Sequence, residues 1–250
     1  MSQTVERAMT IIEFVAAKPR SLGEVADHLE VHKSTALRLL QTLERGGFAR
    51  LVSGRYTVGF RMVALAHQAV DGLELHSIAH PKLVELSERY GHTIHLAQLV
   101  DDEIIYVDKV DGWGALKMQS RVGRAASLHT AGVAKAILAN VTDPLQSRLI
   151  ARVTYQRYTT TTLTSPAALR SDLDRIHARG WAEDDGEMED FINCVAAPVR
   201  GARGTVVAAV SITALRAIAP LEQLRECVPD LRATCDAISR DLGWQEQESA

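Results

Sequence analysis

The stretch Ser21-Leu-Gly-Glu-Val-Ala-Asp-His-Leu-Glu-Val-His-Lys-Ser-Thr-Ala-Leu-Arg-Leu-Leu40 admits very few folds. Ser21 and Glu24 stand at capping-box spacing: the hydroxyl accepts an orphan backbone N–H, the carboxylate reaches back to the cap, and a helix starts at Leu22. Leu22, Val25, Ala26 and Leu29 recur at i, i+3, i+4 and i+7, which makes one face apolar and turns Glu24, Asp27 and His28 outward. After a three-residue turn a second helix repeats the pattern, with Ala36, Leu39, Leu40 and Leu43 inward. Two short helices packed across a tight turn form a helix-turn-helix. The outer face of the second carries Ser34, Thr35, Arg38, Gln41, Thr42 and Arg45. Small hydroxyls and amides near a helix start suit base edges in a major groove, and cations along the flank suit guanine or phosphate.

Any surface helix has a polar face, so the flanking sequence decides. Val5, Ala8, Met9, Ile12 and Val15 predict a preceding amphipathic helix that completes a three-helix core. Gly46-Gly47 ends the second helix, and residues 48–58 read as two short strands around Ser53-Gly54, the wing of a winged helix. Residues 1–61 carry nine Lys and Arg against six Asp and Glu, a net of +3 in a chain whose formal charge is −3, which leaves −6 for the remainder. The positive charge coincides with the groove-reading motif, as a phosphate footprint requires. The residues assigned to DNA are Ser21, Lys33, Ser34, Thr35, Arg38, Gln41, Thr42 and Arg55.

A chain of 250 residues with 46% hydrophobic content fits two domains better than one. The division expected is a winged helix-turn-helix over residues 1–60, a helical linker over 61–75 and a second domain over 76–250. No apolar run reaches 18 residues, and Met-Ser-Gln-Thr-Val-Glu-Arg lacks a signal peptide's apolar core, so the expectation is a cytoplasmic protein without membrane contact. Cys194, Cys227 and Cys235 are odd in number and lack CxxC spacing, which disfavours a disulfide framework.

Beyond the wing, residues 60–70 are helical in composition, and Asp71-Gly72 interrupts them before a second helical run that meets Pro81 and ends at Gly91. Residues 93–100 and 104–110 read as a β-hairpin joined at Asp101-Asp102-Glu103, and residues 115–122 as a third strand. Residues 130–139 read as a helix with Thr130 as its cap. Ser165-Pro166 starts another helix, which Gly180 ends. Residues 194–199 and 206–213 are strands around the turn at 201–204, and one final helix runs from Pro220 to about Leu242. Helices flanking a mainly antiparallel sheet make this an α+β domain.

Taken in order, these segments resemble the IclR family of bacterial transcription regulators over roughly residues 4–243. The matching pieces are Val5-Glu-Arg-Ala8, Lys33-Ser-Thr35, Leu39-Leu40 with Leu43-Glu44, Gly54-Arg-Tyr56, Ile105-Tyr-Val-Asp-Lys109, Leu128-His-Thr-Ala-Gly-Val-Ala-Lys-Ala136, Gly180-Trp-Ala-Glu-Asp-Asp185, Cys194-Val-Ala-Ala-Pro-Val199 and Val210-Ser-Ile-Thr213. The resemblance implies a winged helix-turn-helix joined by a helix to a GAF-like effector-binding domain, assembled as a dimer or dimer of dimers. It also implies an effector pocket lined by Ala115, Met118, Ala126, Gly132, Val133, Asp184, Ile192, Cys194, Ser211 and Thr213. The chain departs from the family in two places: it has Glu30-Val31-His32 where relatives often have Gly, an apolar residue and Pro or Ser, and Val133 where they often have a smaller residue.

The chemistry of that set is coherent in its own terms. Ser211 and Thr213 lie two apart on a strand and share a face, a helix start near residues 130–133 offers N–H groups that favour a carboxylate, and Met118, Ile192 and Val133 can cover an apolar body. A small organic acid fits better than a nucleotide, since no Gly-rich phosphate loop is present. Simple packing is the competing reading for each residue. Cys194, His129 and Asp184 are residue types a thiol hydrolase would use, but nothing in the sequence brings them together. His92 and His95 would point to opposite strand faces, which disfavours a shared metal. A purely architectural DNA binder, or a second domain serving only oligomerisation, is the other class. The reading reached is a non-enzymatic, ligand-responsive regulator without cofactor or metal. It binds a palindromic double-stranded operator as a homodimer or tetramer, responds to a small organic carboxylate, and acts by changing DNA affinity or RNA polymerase recruitment.

Overall fold

The computed structural model describes residues 3–71, 74–113 and 120–245. The chain divides into two compact units, residues 1–73 and 74–250. The helical segment after the wing therefore ends with the first unit, and the next helix opens the second.

The first unit holds α1 (Gln3–Ala17), α2 (Leu22–His28), α3 (Lys33–Arg45), β1 (Ala49–Val52), β2 (Arg55–Val58) and α4 (Phe60–Asp71). Its core is Ile11, Val15, Val25, Ala26, Ala36, Leu40, Leu43, Ala49 and Tyr56. The capping box at α2 is complete: the Glu24 N–H donates to Ser21 Oγ at 3.3 Å and the Ser21 N–H to Glu24 Oε2 at 2.8 Å. At its other end the Glu30 N–H donates to Asp27 O at 3.1 Å and the Val31 N–H to Ala26 O at 3.0 Å. These are the two bonds of a Schellman motif. It sets Glu30 in the left-handed region, φ 53°, which is why a glycine suits this turn. The wing is an antiparallel pair with Ala49 opposite Val58, closed by Ser53 and Gly54 at φ 51° and 76°, a two-residue turn with both centres left-handed. Of the residues read as core-facing from the periodicity of α1, Val15 is buried and Ala8 and Ile12 pack against the core, whereas Val5 and Met9 are exposed and Ile11, outside that set, is buried instead.

The second unit is built on a five-stranded antiparallel sheet in the order β4-β3-β7-β6-β5, from β3 (Thr93–Val100), β4 (Glu103–Val110), β5 (Ala182–Asp185), β6 (Ile192–Arg200) and β7 (Val206–Leu215). Asp101 and Asp102, at φ 45° and 64°, close the β3–β4 hairpin. The helices α5 (Glu74–Tyr90) and α10 (Val228–Asp241) pack on this sheet and on each other. On the other face lies α6 (Gly132–Leu138), with α8 (Pro166–Arg179) behind it. Ser165 caps α8 by accepting the Ala168 N–H at 3.1 Å, and Gly180 ends it at φ 82°. The architecture is α+β, as the strand and helix pattern predicts.

Several details differ from the sequence expectations. The cap of α6 is Ala131, not Thr130, and the helix ends at Leu138 after 7 residues, about two turns. The C-terminal helix is two, α9 (Leu221–Glu226) and α10, because Pro229 at the start of α10 has no N–H with which to continue α9. Pro81 instead lies inside an unbroken α5. Of the third strand, residues 115–119 lie outside the described residues and 120–122 are not strand; the chain touches β4 afterwards, where Ala125 bridges Ile105. The short β5 and the helix α7 (Leu145–Ala151) were not read from the sequence at all.

Candidate functional site

Each unit offers a surface for chemistry. In the first unit, Lys33, Ser34, Thr35, Arg38, Gln41, Thr42 and Arg45 are all exposed along α3, while Ala36, Leu40 and Leu43 on its opposite side are buried. Thr42 Oγ1 donates to Arg38 O at 2.9 Å and accepts from Arg45 Nη2 at 3.5 Å, so the far end of the face is partly ordered and the near end, Lys33 to Thr35, is open. Two of the residues assigned to DNA are engaged elsewhere. Ser21 caps α2, and Arg55 in the wing donates to Glu24 Oε2 at 3.1 Å and to Pro19 O at 3.3 Å. The Ser21 backbone and side-chain bonds, helped by Arg55 and Arg20, hold the Glu24 carboxyl down at about 2. Arg55, through the Glu24 carboxylate that Ser21 also bonds, thus ties the wing to the helix-turn-helix.

In the second unit the antiparallel register aligns the polar set. Asp184 stands opposite Cys194, and Cys194 opposite Thr213; in the next row on the same face Ala196 stands opposite Ser211, and Ser211 opposite His95. These rows and the first turn of α6 bound a cavity of about 770 Å3. Of the predicted lining residues, Ala126, Gly132, Val133, Asp184, Ile192, Cys194, Ser211 and Thr213 border it; Ala115 and Met118 lie outside the described residues. Gly132 has a steric reason: a Cβ there would come within 2.9 Å of Cys194 Sγ and 3.4 Å of Ala196 Cβ, so only glycine lets α6 sit this close to β6.

Several bordering residues were not assigned to the cavity from the sequence: Tyr106, Ser120, Arg124, His129, Arg152 and Tyr158, and above all His95. His95, considered from the sequence only as a disfavoured metal partner of His92, is buried, with Nε2 2.7 Å from Ser120 Oγ and Nδ1 3.2 Å from Thr213 Oγ1 and 3.5 Å from Ser211 Oγ. Burial, aided by Lys109, pushes its pKa down to about 3, so the ring is neutral and offers one donor and one acceptor. Strand parity could have found it, since His95 faces Ser211 once β3 pairs with β7. Arg124 is an exposed cation on the border, and Thr130 Oγ1 is buried without a partner among the described residues.

Beneath the cavity lies a buried ionic cluster. Lys135, 1% exposed, contacts Glu187 Oε1 and, at 3.1 Å, Asp172 Oδ2. Asp184 Oδ1 accepts the Glu187 N–H at 2.7 Å, which ties the β5–β6 loop to the cavity wall. Burial opposes the charge on Lys135, but Glu187 and Asp172 outweigh it and hold the ammonium above its ordinary range. Three carboxyls share this cation, and burial pushes Asp184 up to about 6 and Glu187 up to about 8 against its pull.

The same burial speaks to the thiol. It pushes Cys194 up to about 12, assisted by Asp184, whereas a nucleophile needs a depressed pKa. His129 is held by Ser127 Oγ at 3.4 Å and Gln156 O at 3.1 Å, which are partners other than Cys194. The arrangement is that of a binding cavity with neutral donors: it can hold a small polar molecule.

Comparison with known proteins bears on both units. Residues 4–53 match the family described as the IclR helix-turn-helix domain, and residues 67–240 the one described as bacterial transcriptional regulator IclR C-terminal. The chain is similar to the uncharacterized HTH-type transcriptional regulator RhmR of Escherichia coli, with 32% identity over 96% of this chain and 93% of that one. It is similar to the HTH-type transcriptional regulator KdgR of the same species, with 32% identity over 91% and 88%. Among solved structures, that of Thermotoga maritima IclR superimposes with a TM-score of 0.83 and 30% identity, covering 96% of this chain and 99% of that one.

Proposed function

The chain belongs to the IclR family of bacterial transcriptional regulators, and on that premise we propose that it binds its operator through the exposed face of α3 and releases or rearranges on DNA when a small organic carboxylate fills the cavity of the second unit. The observation that carries the effector reading is the cavity of about 770 Å3 bordered by neutral donors and two arginines, Arg124 and Arg152, a volume within the usual range for small-molecule sites. Ser211, Thr213, the neutral His95 and Arg124 are the groups for the carboxylate, since an anion taken from water needs several donors to offset its desolvation. Asp184, with its carboxyl pushed up to about 6, carries a smaller charge than an ordinary aspartate and is bonded to the Glu187 N–H; it shapes the wall.

On the DNA side, Lys33, Ser34, Thr35, Arg38, Gln41 and Thr42 are the residues for groove and phosphate contact, with Ser21 capping α2 and Arg55 holding the wing to it through Glu24. Self-association is supported by the apolar residues the first unit leaves exposed, Val5 and Met9 on α1 and Phe60, Val63 and Leu65 on α4. A two-fold dimer would present two recognition helices to half-sites about 34 Å apart or a multiple of it. Such a regulator works in the cytoplasm, where the DNA is, either through operator affinity or through RNA polymerase.

The test begins with an operator selected from a random duplex pool, followed by calorimetric titration with a panel of small carboxylic acids. Arg38→Ala should weaken operator binding by about 1–3 kcal/mol for a base contact, or lower the salt slope by about 1 for a phosphate contact, without altering acid binding. Ser211→Ala should weaken acid binding by about 1 kcal/mol and leave DNA affinity alone. Unchanged operator affinity and salt slope in Arg38→Ala refute the α3 face. A cavity that takes no acid of the panel leaves the second unit as an oligomerisation module.

A further inference from the structure

We propose that His76, His80 and Asp108 form a site for a divalent metal ion of the zinc class, distinct from the effector cavity and on the opposite face of the sheet. The three ligand atoms lie within 4.8 Å of one another. His76 and His80 are one helical turn apart on α5, so both imidazoles project from one face of that helix, their rings stacked at 5.3 Å between centroids. This is the spacing by which a helix delivers two histidines to one zinc ion.

The carboxylate arrives by a specific device. In β4 the register shifts opposite Leu96 and Ala97, so that Tyr106 pairs with Ala97 while Asp108 pairs with Leu96 and Val107 is extra. Without that bulge, residues 106 and 108 would share a face; with it, Tyr106 borders the cavity and Asp108 turns to α5. Re-aiming one side chain is what such an insertion does.

The local hydrogen bonding fits a ligand set better than a simple salt bridge. Asp108 is buried, and its Oδ1 accepts the Lys109 N–H at 2.7 Å, an orienting bond that leaves Oδ2 for a ligand role. His80 Nδ1 lies 2.7 Å from Oδ2, but His76 Nε2 is 3.6 Å from the same oxygen, too far for a hydrogen bond. One carboxylate oxygen therefore satisfies one imidazole and leaves the other short, whereas a cation set among the three atoms would engage all of them. Two imidazoles and a carboxylate suit zinc and leave a position for water. Two imidazole nitrogens beside a single carboxylate select against magnesium and calcium, which take oxygen ligands. The ion would pin the first turns of α5, which begins at the boundary between the units, to β4.

Protein stripped with a chelator and titrated with zinc should bind one ion at this site. His80→Ala and Asp108→Asn should each lower the affinity by at least about 100-fold, since even a supporting group beyond the ligands is worth 10–100-fold. Cys194→Ser and His95→Gln, in the cavity, should leave it unchanged. Cobalt in place of zinc should give visible bands of a four- or five-coordinate ion without thiolate charge transfer. Zinc should also raise the thermal midpoint of the wild type and not that of His80→Ala, whose half-exposed side chain can be lost without disturbing the metal-free fold, as its metal-free midpoint will check. Zinc affinity equal to wild type in both His80→Ala and Asp108→Asn, a thiolate band with cobalt, or no uptake of micromolar zinc by the wild type would overturn the proposal. None of these outcomes touches the acid response of the operator complex.

Discussion

The two units solve opposite problems with opposite placements of polarity. Every buried polar or charged side chain among the described residues lies between Ser87 and Ser239, in the second unit, while the core of the first is apolar but for the phenol of Tyr56. The first unit keeps its ions outside, on α3 and the wing, where they can meet a large polyanion without being desolvated by the fold itself. The second takes Lys135, Asp172, Asp184, Glu187, His95 and the Ser211–Thr213 pair inside, where a low dielectric makes each polar group costly alone and strong when paired. A reader of DNA needs an exterior; a holder of small molecules needs an interior. The contrast is testable because Trp113, Trp181 and Trp244 all belong to the second unit, so tryptophan fluorescence follows that unit and operator binding follows the first.

The largest expected effect is at the buried cation. Lys135→Met removes the buried ammonium, leaving Asp172 with Arg175 alone and Glu187 without its cation, and should lower the stability read by tryptophan fluorescence in a urea titration by about 3–5 kcal/mol, the usual consequence of stripping one member from a buried ion cluster. Operator binding at low temperature, where both units remain folded, should be nearly unchanged. A loss under about 1 kcal/mol would mean that the cluster is hydrated and that the interior of the second unit is less dry than its burial implies.

A smaller effect is expected from pH. Glu187 is pushed up to about 8 by burial, so between pH 6.5 and 8 the folded protein holds a proton that the unfolded chain, with an ordinary carboxyl near 4.5, has released. Stability of the second unit should therefore fall as pH rises through that window, by about 1–2 kcal/mol. Asp184, up to about 6, acts in the same sense at lower pH, but below 6.5 it is opposed by His95, whose depressed pKa makes acid destabilising. Glu187→Gln should flatten the slope above 6.5. The first unit, whose one strongly shifted carboxyl, Glu24, is displaced downward to about 2, should show no matching decline; a shared decline in both units would break the contrast.

The sequence was most legible where structure is local. Ser21 and Glu24, Gly46-Gly47, Ser53-Gly54 and Ser165-Pro166 each act within a few residues of themselves, and each does in the fold what its spacing predicts. Legibility failed where a role is decided across the chain. His95 has no local signal of its function; it acquires one only when β3 pairs with β7 and brings it to Ser211 and Thr213. Lys135 was visible as part of a motif, but its meaning depends on Asp172 and Glu187, 37 and 52 positions away. Arg55 read as a free cation because the wing's approach to Glu24 cannot be seen from composition. Pro81 and Pro229 carry the same local signal, yet one is absorbed within a helix and the other stands where α9 gives way to α10, a choice made by tertiary packing.

The smallest effect sharpens the comparison on the side of the first unit. Glu30 occupies the left-handed position of the Schellman turn between α2 and α3, φ 53°, a conformation that costs a side-chain-bearing residue about 1–2 kcal/mol. Glycine removes that strain but gives up about 0.5–1 kcal/mol in chain entropy, so Glu30→Gly should stabilise the first unit by about 0.5–1 kcal/mol. Amide exchange along α2 and α3 in the full chain should slow accordingly, and tryptophan fluorescence should not change. Because Glu30 is also an exposed anion in a positively charged unit, tighter operator binding alone would not separate strain from charge. Glu30→Ala does: it removes the charge and keeps the Cβ, so it should raise operator affinity as much as Glu30→Gly does while leaving exchange in α2 and α3 as fast as in the wild type. If Ala slows exchange as much as Gly, the gain comes from relieving charge repulsion, and the turn is not strained.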